Sequence, residues 1–301
     1  AKMLTRNYRS TMEVLADAVI RPSFPQSELE IFKREAATRL LRMGESFGQR
    51  TSAAALGRIC GAATPMSRAH LPEAGEVAAL KPSDLRSFHE KWYRPENTTV
   101  IIVGDLDFNF VRTMMIEFFG RWQAVAVEAL SDTIAEQTAP TRNIGESRGG
   151  ITLINDTTAG TLAYYRFGTQ LPHRADSDVP ALLLLGEILA EGDSSRLRRS
   201  MWGERTISPT FAATLVFSRQ CSYLMISGSA PPALATDIHA TLTGMLADLA
   251  RNGVTETELM RAKRELLSER ALLFSSNRNV QKVLKEAIVY DIPLNKALRM
   301  Y

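Results

Sequence analysis

The 301 residues predict an α+β protein built from two related copies of one unit, and three observations carry that expectation. Apolar residues recur at helical spacing through most of the chain, punctuated by a few short β-branched runs. A pair of helical segments returns 230 residues further on, as Phe24 and Val254 show. Between the copies runs a stretch with no sustained period, which reads as linker.

In chain order, Met12, Leu15, Ala16 and Val19 place a helix over Tyr8–Ile20, closed by Arg21-Pro22-Ser23-Phe24-Pro25. Ser27 has the character of an N-cap, with Glu28 and Glu30 in the first turn, and Leu29, Phe32, Ala36 and Leu40 repeat along one face of the helix that follows. Further helices are expected at Gln49–Cys60, from Lys81-Pro82-Ser83-Asp84 through Trp92, and at Phe108–Phe119. Thr98–Asp105 contains the run Thr98-Thr99-Val100-Ile101-Ile102-Val103 and predicts a buried strand. Residues 123–150 lose all periodicity, which puts the linker at 126–150. Strands are then expected at Ile151–Asn155, Thr161–Gly168, Ile207–Phe217 and Ser222–Ser229. Helices are expected at Asp178–Leu189, Ser195–Gly203, Pro232–Ala250, Glu256–Ser275 and Asn277–Tyr290.

Self-comparison decides the architecture. Phe24-Pro-Gln-Ser-Glu28-Leu29…Lys33-Arg34-Glu35 resembles Val254-Thr-Glu-Thr-Glu258-Leu259…Lys263-Arg264-Glu265, and upstream Leu15-Ala16-Asp17 matches Leu246-Ala247-Asp248 after a one-residue slip. Chance sharing of a Glu/Lys/Arg vocabulary explains two such helices in the same order less well than duplication does. At this offset the first copy lacks a counterpart of residues 151–230 and the second a counterpart of 84–107, so both copies read as cut. Ala1-Lys2-Met3-Leu4 also enters a helical pattern without the features of a signal peptide, and the chain reads as a window on a longer protein. The expected division is 1–125 for the first domain, 126–150 for the linker and 151–301 for the second.

Composition removes several function classes. Hydrophobic residues at 45% supply a core, and 36 basic against 33 acidic side chains are too balanced for a nucleic-acid surface. No stretch approaches the ~20 apolar residues of a membrane span. Cys60 and Cys221 are too few for a disulfide framework or a four-cysteine zinc site, and they read as two buried free thiols in preference to one bridge. There is no nucleophile elbow, phosphate loop or dinucleotide fingerprint.

With these pieces in order, the chain resembles the pitrilysin/insulinase-type (M16) peptidases. The resemblance runs through Phe24-Pro25…Glu28-Leu29, Leu85…Phe88…Trp92-Tyr93-Arg94-Pro95-Glu96-Asn97…Val103-Gly104-Asp105 and Phe119-Gly120-Arg121-Trp122. It continues through Ala181…Leu184…Ile188-Leu189…Gly192…Ser194-Ser195-Arg196-Leu197 and Gly253-Val254-Thr255…Glu258-Leu259…Ala262-Lys263. Each piece is weak alone; their collinearity is specific. The resemblance implies two homologous domains, each an antiparallel sheet packed with helices.

It also implies zinc-dependent peptide hydrolysis, in which His-x-x-Glu-His and a later Glu hold the metal. Among His70, His89, His173 and His239 none begins that motif; Ala74 stands where a second histidine would follow His70. Counted from Phe24-Pro25, the family's third ligand position falls on Arg39, a guanidinium that repels zinc, whereas another register would offer Glu35. The Arg/Tyr pair that contacts substrate in active members falls on Trp202 and Pro209, so that role does not carry over. Arg196 reads as structural, paired with carboxylates such as Glu187 or Glu191, and His89, His173 and His239 as packing or surface residues.

The expected function is therefore a non-catalytic half or subunit of an M16-like zinc peptidase, inactive alone. It would bind no zinc itself and would form chamber wall and peptide-binding surface for a catalytic half that does. The alternatives are a scaffold subunit without a peptidase role, and an active zinc peptidase cut to this window, with Glu35 as a ligand. The implied partners are a catalytic M16 half and peptide, with a homodimer as a further assembly. Nucleic acid and a membrane span are not expected, and a bacterial periplasmic setting is preferred to a cytoplasmic one.

Overall fold

A computed structural model describes residues 2–61, 64, 74–123, 162–202, 210–219 and 221–300. The expected linker 126–150, the expected strand at 151–155, His70 and Pro209 all lie outside the described residues.

The N-terminal part is helical: α1 (Tyr8–Ile20), α2 (Gln26–Glu45), α3 (Phe47–Cys60), α4 (Ala74–Ala79), α5 (Pro82–Trp92) and α6 (Phe108–Phe119). Helix α2 starts at Gln26, directly after Pro25, so Ser27 lies inside the first turn and is not its cap. Proline at that boundary has no N–H to leave unpaired and presets the turn. Phe24 reverses the chain with φ 47°, a left-handed conformation rare for a bulky residue. Tyr8 and Met12 of α1 meet Met114 of α6 in a small core, with Ile102, Leu106 and Val111 packed around it.

The expected strand at Thr98–Asp105 does not form. Its backbone starts extended, at Thr98 φ −120° and ψ 127°, but no strand among the described residues runs beside it. A β-branched run supplies propensity; a ladder also needs a neighbour. Here Ile102 turns into the α1–α6 core, while Val100 stays 44% exposed.

The C-terminal part contains β1 (Ala163–Leu171), α7 (Val179–Ala190), α8 (Arg196–Trp202), β2 (Ala212–Val216), β3 (Ser222–Ala230), α9 (Ala235–Asn252), α10 (Glu256–Leu273), α11 (Asn277–Val289) and α12 (Leu294–Met300). The three strands pair antiparallel in the order β1-β3-β2, with Phe167 opposite Ile226 and Thr214 opposite Met225.

Strand alternation gives this sheet two different faces. Tyr165, Phe167, Ala213 and Ile226 point to one side, where Leu189, Leu197, Met201, Ile238, Leu242 and Met245 close the main core. Ile238, Leu242 and Met245 recur at i, i+4 and i+7, the spacing that turns one stripe of α9 onto the sheet. Tyr223 and Met225 point to the other side and are covered by Leu56 and Ile59 of α3. Helix α3 thus leaves the N-terminal helices to pack on the C-terminal sheet.

Cys60 at the end of α3 is bonded to Cys221 just before β3, with Cα atoms 5.6 Å apart. This corrects the reading of two free thiols. Separation by 161 residues hides the pairing from the sequence, and only the docking of α3 brings the sulfurs together.

Candidate functional site

Helix α2 carries both residues weighed as the family's zinc ligand. Leu29 anchors it in the interior, while Glu35 and Arg39 are both exposed to solvent. Among the described residues no three His, Cys, Asp or Glu side chains converge as a metal site. His89 donates through Nε2–H to the Val19 carbonyl at 2.7 Å and stacks on Tyr93, which pins α5 to the end of α1. His173 meets Tyr290 edge-on, and His239 lies 6.2 Å from the Phe167 ring. These three histidines are thus engaged in separate ring contacts and do not converge on one point. Trp202 ends α8.

The strongest polar arrangement centres on Arg196, at the start of α8. Its Nε and Nη2 donate to the two oxygens of Glu258 at 2.8 and 2.7 Å, its Nη1 reaches Asp248 at 3.2 Å, and Nη2 also donates to the Gly253 carbonyl at 2.8 Å. Arg199 adds a second guanidinium to Glu258 at 2.9 Å. Two parallel N–H···O bonds are the geometry a planar guanidinium makes best. Glu258 is also the capping-box carboxylate of α10, accepting from the Thr255 amide while Thr255 Oγ1 accepts from the Glu258 amide. The Arg196 guanidinium holds the Glu258 carboxyl down at about 2. Arg196 is structural, as its sequence context suggested, but its partners are not Glu187 or Glu191. They lie 52 and 62 residues away, brought in by the turn between α9 and α10.

Glu187 and Glu191 belong to a different group, on the α7–α10 contact. Burial pushes the Glu187 carboxyl up to about 7, and the neighbouring Glu269, Glu191 and Glu265 carboxylates add to the shift, against Arg261. Arg261 pairs with Glu265 at 2.7 Å and donates to the backbone carbonyls of Glu191 and Glu187.

Arg166, on β1, ties the two parts of the chain together. It donates to Ser52 Oγ and the Gly48 carbonyl of α3, both at 3.1 Å, and to the carbonyls of Tyr165 and Gly228. These partners are neutral oxygens, and burial lowers its pKa from the ordinary arginine value. Two positions on, Gly168 lets Ile59 approach: a Cβ there would stand 2.4 Å from Ile59 Cδ1. Sequence reasoning gave no role to Arg166, Asp248 or Gly168; a lone arginine in a strand and the repeat of Asp17 at Asp248 were the available signals.

A surface cavity of about 640 Å³ opens where α1 turns into α2, lined by residues that include Asp17, Phe24, Glu28, Phe32 and Leu85.

Residues 79–266, from the end of α4 into α10, match the family described as the peptidase M16 inactive domain. The uncharacterized zinc protease ML0855 of Mycobacterium leprae is 26% identical over 272 residues, 88% of this chain and 58% of that protein. The crystal structure of a peptidase M16 inactive domain from Pseudomonas fluorescens shares the fold with a TM-score of 0.78 at 18% identity, covering 98% of this chain and 68% of that one. The periplasmic protease PqqL from Escherichia coli aligns with a TM-score of 0.64 at 19% identity, over 99% of this chain and 33% of that one. The chain spans about half the length of the curated relatives it matches. Among the described residues no helix is long and apolar enough to cross a membrane. A match across most of the chain, joined to an α+β fold shared with solved members, makes this chain a member of the peptidase M16 family, in the part described as its inactive domain.

Proposed function

We propose that this chain is a non-catalytic half or subunit of an M16-type zinc peptidase, providing chamber wall and peptide-binding surface to a catalytic half that holds the zinc. The observation that carries this reading is the match of residues 79–266 to the M16 inactive domain. It is supported by α2, which presents exposed Arg39 where the family resemblance puts a metal ligand, and a guanidinium cannot bind zinc.

The chain divides, in this reading, into a first M16-like domain at 1–125, a linker at 126–150 and a second domain at 151–301. Helix α3 and the Cys60–Cys221 bond brace the first domain against the sheet of the second, which suits a rigid wall. That disulfide favours an oxidising compartment, and the periplasm is the bacterial one. The related PqqL is itself described as periplasmic. The partner is a catalytic M16 half, ahead of a second copy of this chain, and the shared substrate is peptide.

The test is hydrolysis of a fluorogenic casein peptide by a purified catalytic M16 half, by this chain, and by the two together. The chain alone should be inactive, and adding it should raise the partner's rate to saturation. A partner rate indifferent to the chain sinks the proposal and leaves a scaffold role. Chelator-sensitive hydrolysis by the chain alone would instead favour Glu35 as a ligand in an active enzyme.

A further inference from the structure

The two related helix pairs differ in their arginine: in the second, a guanidinium from a separate helix bridges both acidic residues, whereas in the first, Arg21 from the turn itself meets Asp17 through one oxygen and lines the same cavity. In the second pair, the Arg196 guanidinium sits between Asp248 near the end of α9, the Gly253 carbonyl in the turn, and Glu258 in the first turn of α10. The first pair repeats the acidic positions as Asp17 and Glu28, and α2 and α10 each begin two residues before the glutamate. There the corresponding space is the cavity of about 640 Å³, which Asp17, Ser23 and Glu28 all line.

The parallel extends to the aspartate itself. Asn252 donates to Asp248 Oδ1 at 2.7 Å, which leaves Oδ2 for Arg196. The Arg21 side chain, which lines the same cavity, likewise meets Asp17 through Oδ1, at 3.0 and 2.9 Å. Glu28 is exposed, whereas Glu258 under its guanidinium is 8% exposed. Around the acidic pair, Val14 is 69% and Phe32 54% exposed, so apolar walls suited to the stem of an arginine also stand open.

We infer that the groove between α1 and α2 is an arginine socket, whose occupant is an arginine-bearing helical segment of the Ser195-Arg196-Leu197 kind from outside these 301 residues. Asp17 and Glu28 receive the guanidinium, as Asp248 and Glu258 do in the second copy, and Val14 and Phe32 cover its methylenes. The internal repeat carries this inference, which does not depend on the peptidase reading.

The probe is a fluorescein-labelled synthetic peptide with the sequence of residues 192–202, titrated into the 301-residue protein and followed by anisotropy. The peptide should bind saturably, and citrulline in place of the arginine at position 196 should weaken binding by about tenfold or more while keeping the other two arginines. The double variant Asp17→Asn/Glu28→Gln should lose binding to the same extent, with an unchanged circular dichroism spectrum, since both side chains are on the surface. Asp237→Asn, exposed on α9 and not among the residues that line the groove, should bind as the parent does. Equal binding of the citrulline peptide would mean apolar docking or general charge attraction and overturns the proposal. Indifference to the double variant, or no saturable binding, overturns it as well.

Discussion

Arg196 and Glu258, 62 residues apart, form a two-pronged ion pair at 2.7 and 2.8 Å that joins the start of α8 to the first turn of α10. Glu258 is 8% exposed, and the same carboxylate closes the capping box of its own helix. One side chain thus fixes both a helix end and the packing of two helices.

Replacing Glu258 by Gln separates these roles, because glutamine still serves a capping box but cannot neutralise Arg196. Leaving a buried guanidinium with a weakened partner should cost about 3–5 kcal/mol in urea unfolding at pH 7. The pH dependence has a definite sign. The folded carboxyl is held at about 2 against an ordinary 4.5, so its stabilisation is present above pH 4.5 and disappears as pH falls through 2. The gap between parent and Glu258→Gln should therefore close as pH falls from 5 to 2. A gap that stays constant over that range would exclude the ion pair as its source.

Glu187 predicts the opposite dependence. Its folded carboxyl is raised to about 7, so ionisation on the α7–α10 contact is unfavourable, and stability falls as pH rises from 4.5 through 7. Glu187→Gln removes the charge and keeps the shape. It should be more stable than the parent by roughly 1–2 kcal/mol at pH 8, after allowance for solvent screening, and equal to it below pH 4.5. Thermal melts across this range provide the measurement, and a variant less stable than the parent at pH 8 would contradict the argument.

How far the sequence reached depended on the range of the interaction. Tyr8–Ile20 and Phe108–Phe119 form helices with the boundaries that periodicity and their flanking turns indicate, because those signals are local. The strand expected at Thr98–Asp105 failed for the opposite reason: its β-branched residues were legible, but the absence of a described pairing neighbour was not. Arg196 was legible as structural, yet its partners were sought among nearby glutamates, whereas a chain reversal at Gly253 delivers Asp248 and Glu258. The Cys60–Cys221 bond and the Arg166 contacts both depend on α3 crossing to the far sheet, which no periodicity encodes. The internal repeat was the one long-range feature open to direct reading.

The Cys60–Cys221 bond should be a principal brace between the two parts. Paired Cys60→Ser/Cys221→Ser substitution, which avoids leaving one reactive thiol, should lower unfolding stability by about 2–5 kcal/mol. Hydrogen exchange should then rise first in α3, because its attachment loses the covalent tie while Leu56 and Ile59 remain. Faster exchange in α9 with α3 unchanged would place the effect in the other face of the sheet and refute this assignment.

Gly168 tests the same contact without touching the disulfide. An added Cβ would meet Ile59 Cδ1 at 2.4 Å and the Leu224 carbonyl oxygen at 3.0 Å, so Gly168→Val should push α3 away from β1. Valine favours strand conformation, so the cost is steric and should be about 1–3 kcal/mol. Ile59 ends in a flexible carbon, and shortening it makes room: Ile59→Ala should destabilise the parent yet be tolerated, or even restore stability, beside Gly168→Val. The double-mutant cycle should give a coupling of about 0.5–3 kcal/mol in the direction of rescue. Strict additivity would mean that the clash lies with the Leu224 backbone alone, and that α3 is not seated against Gly168 in solution.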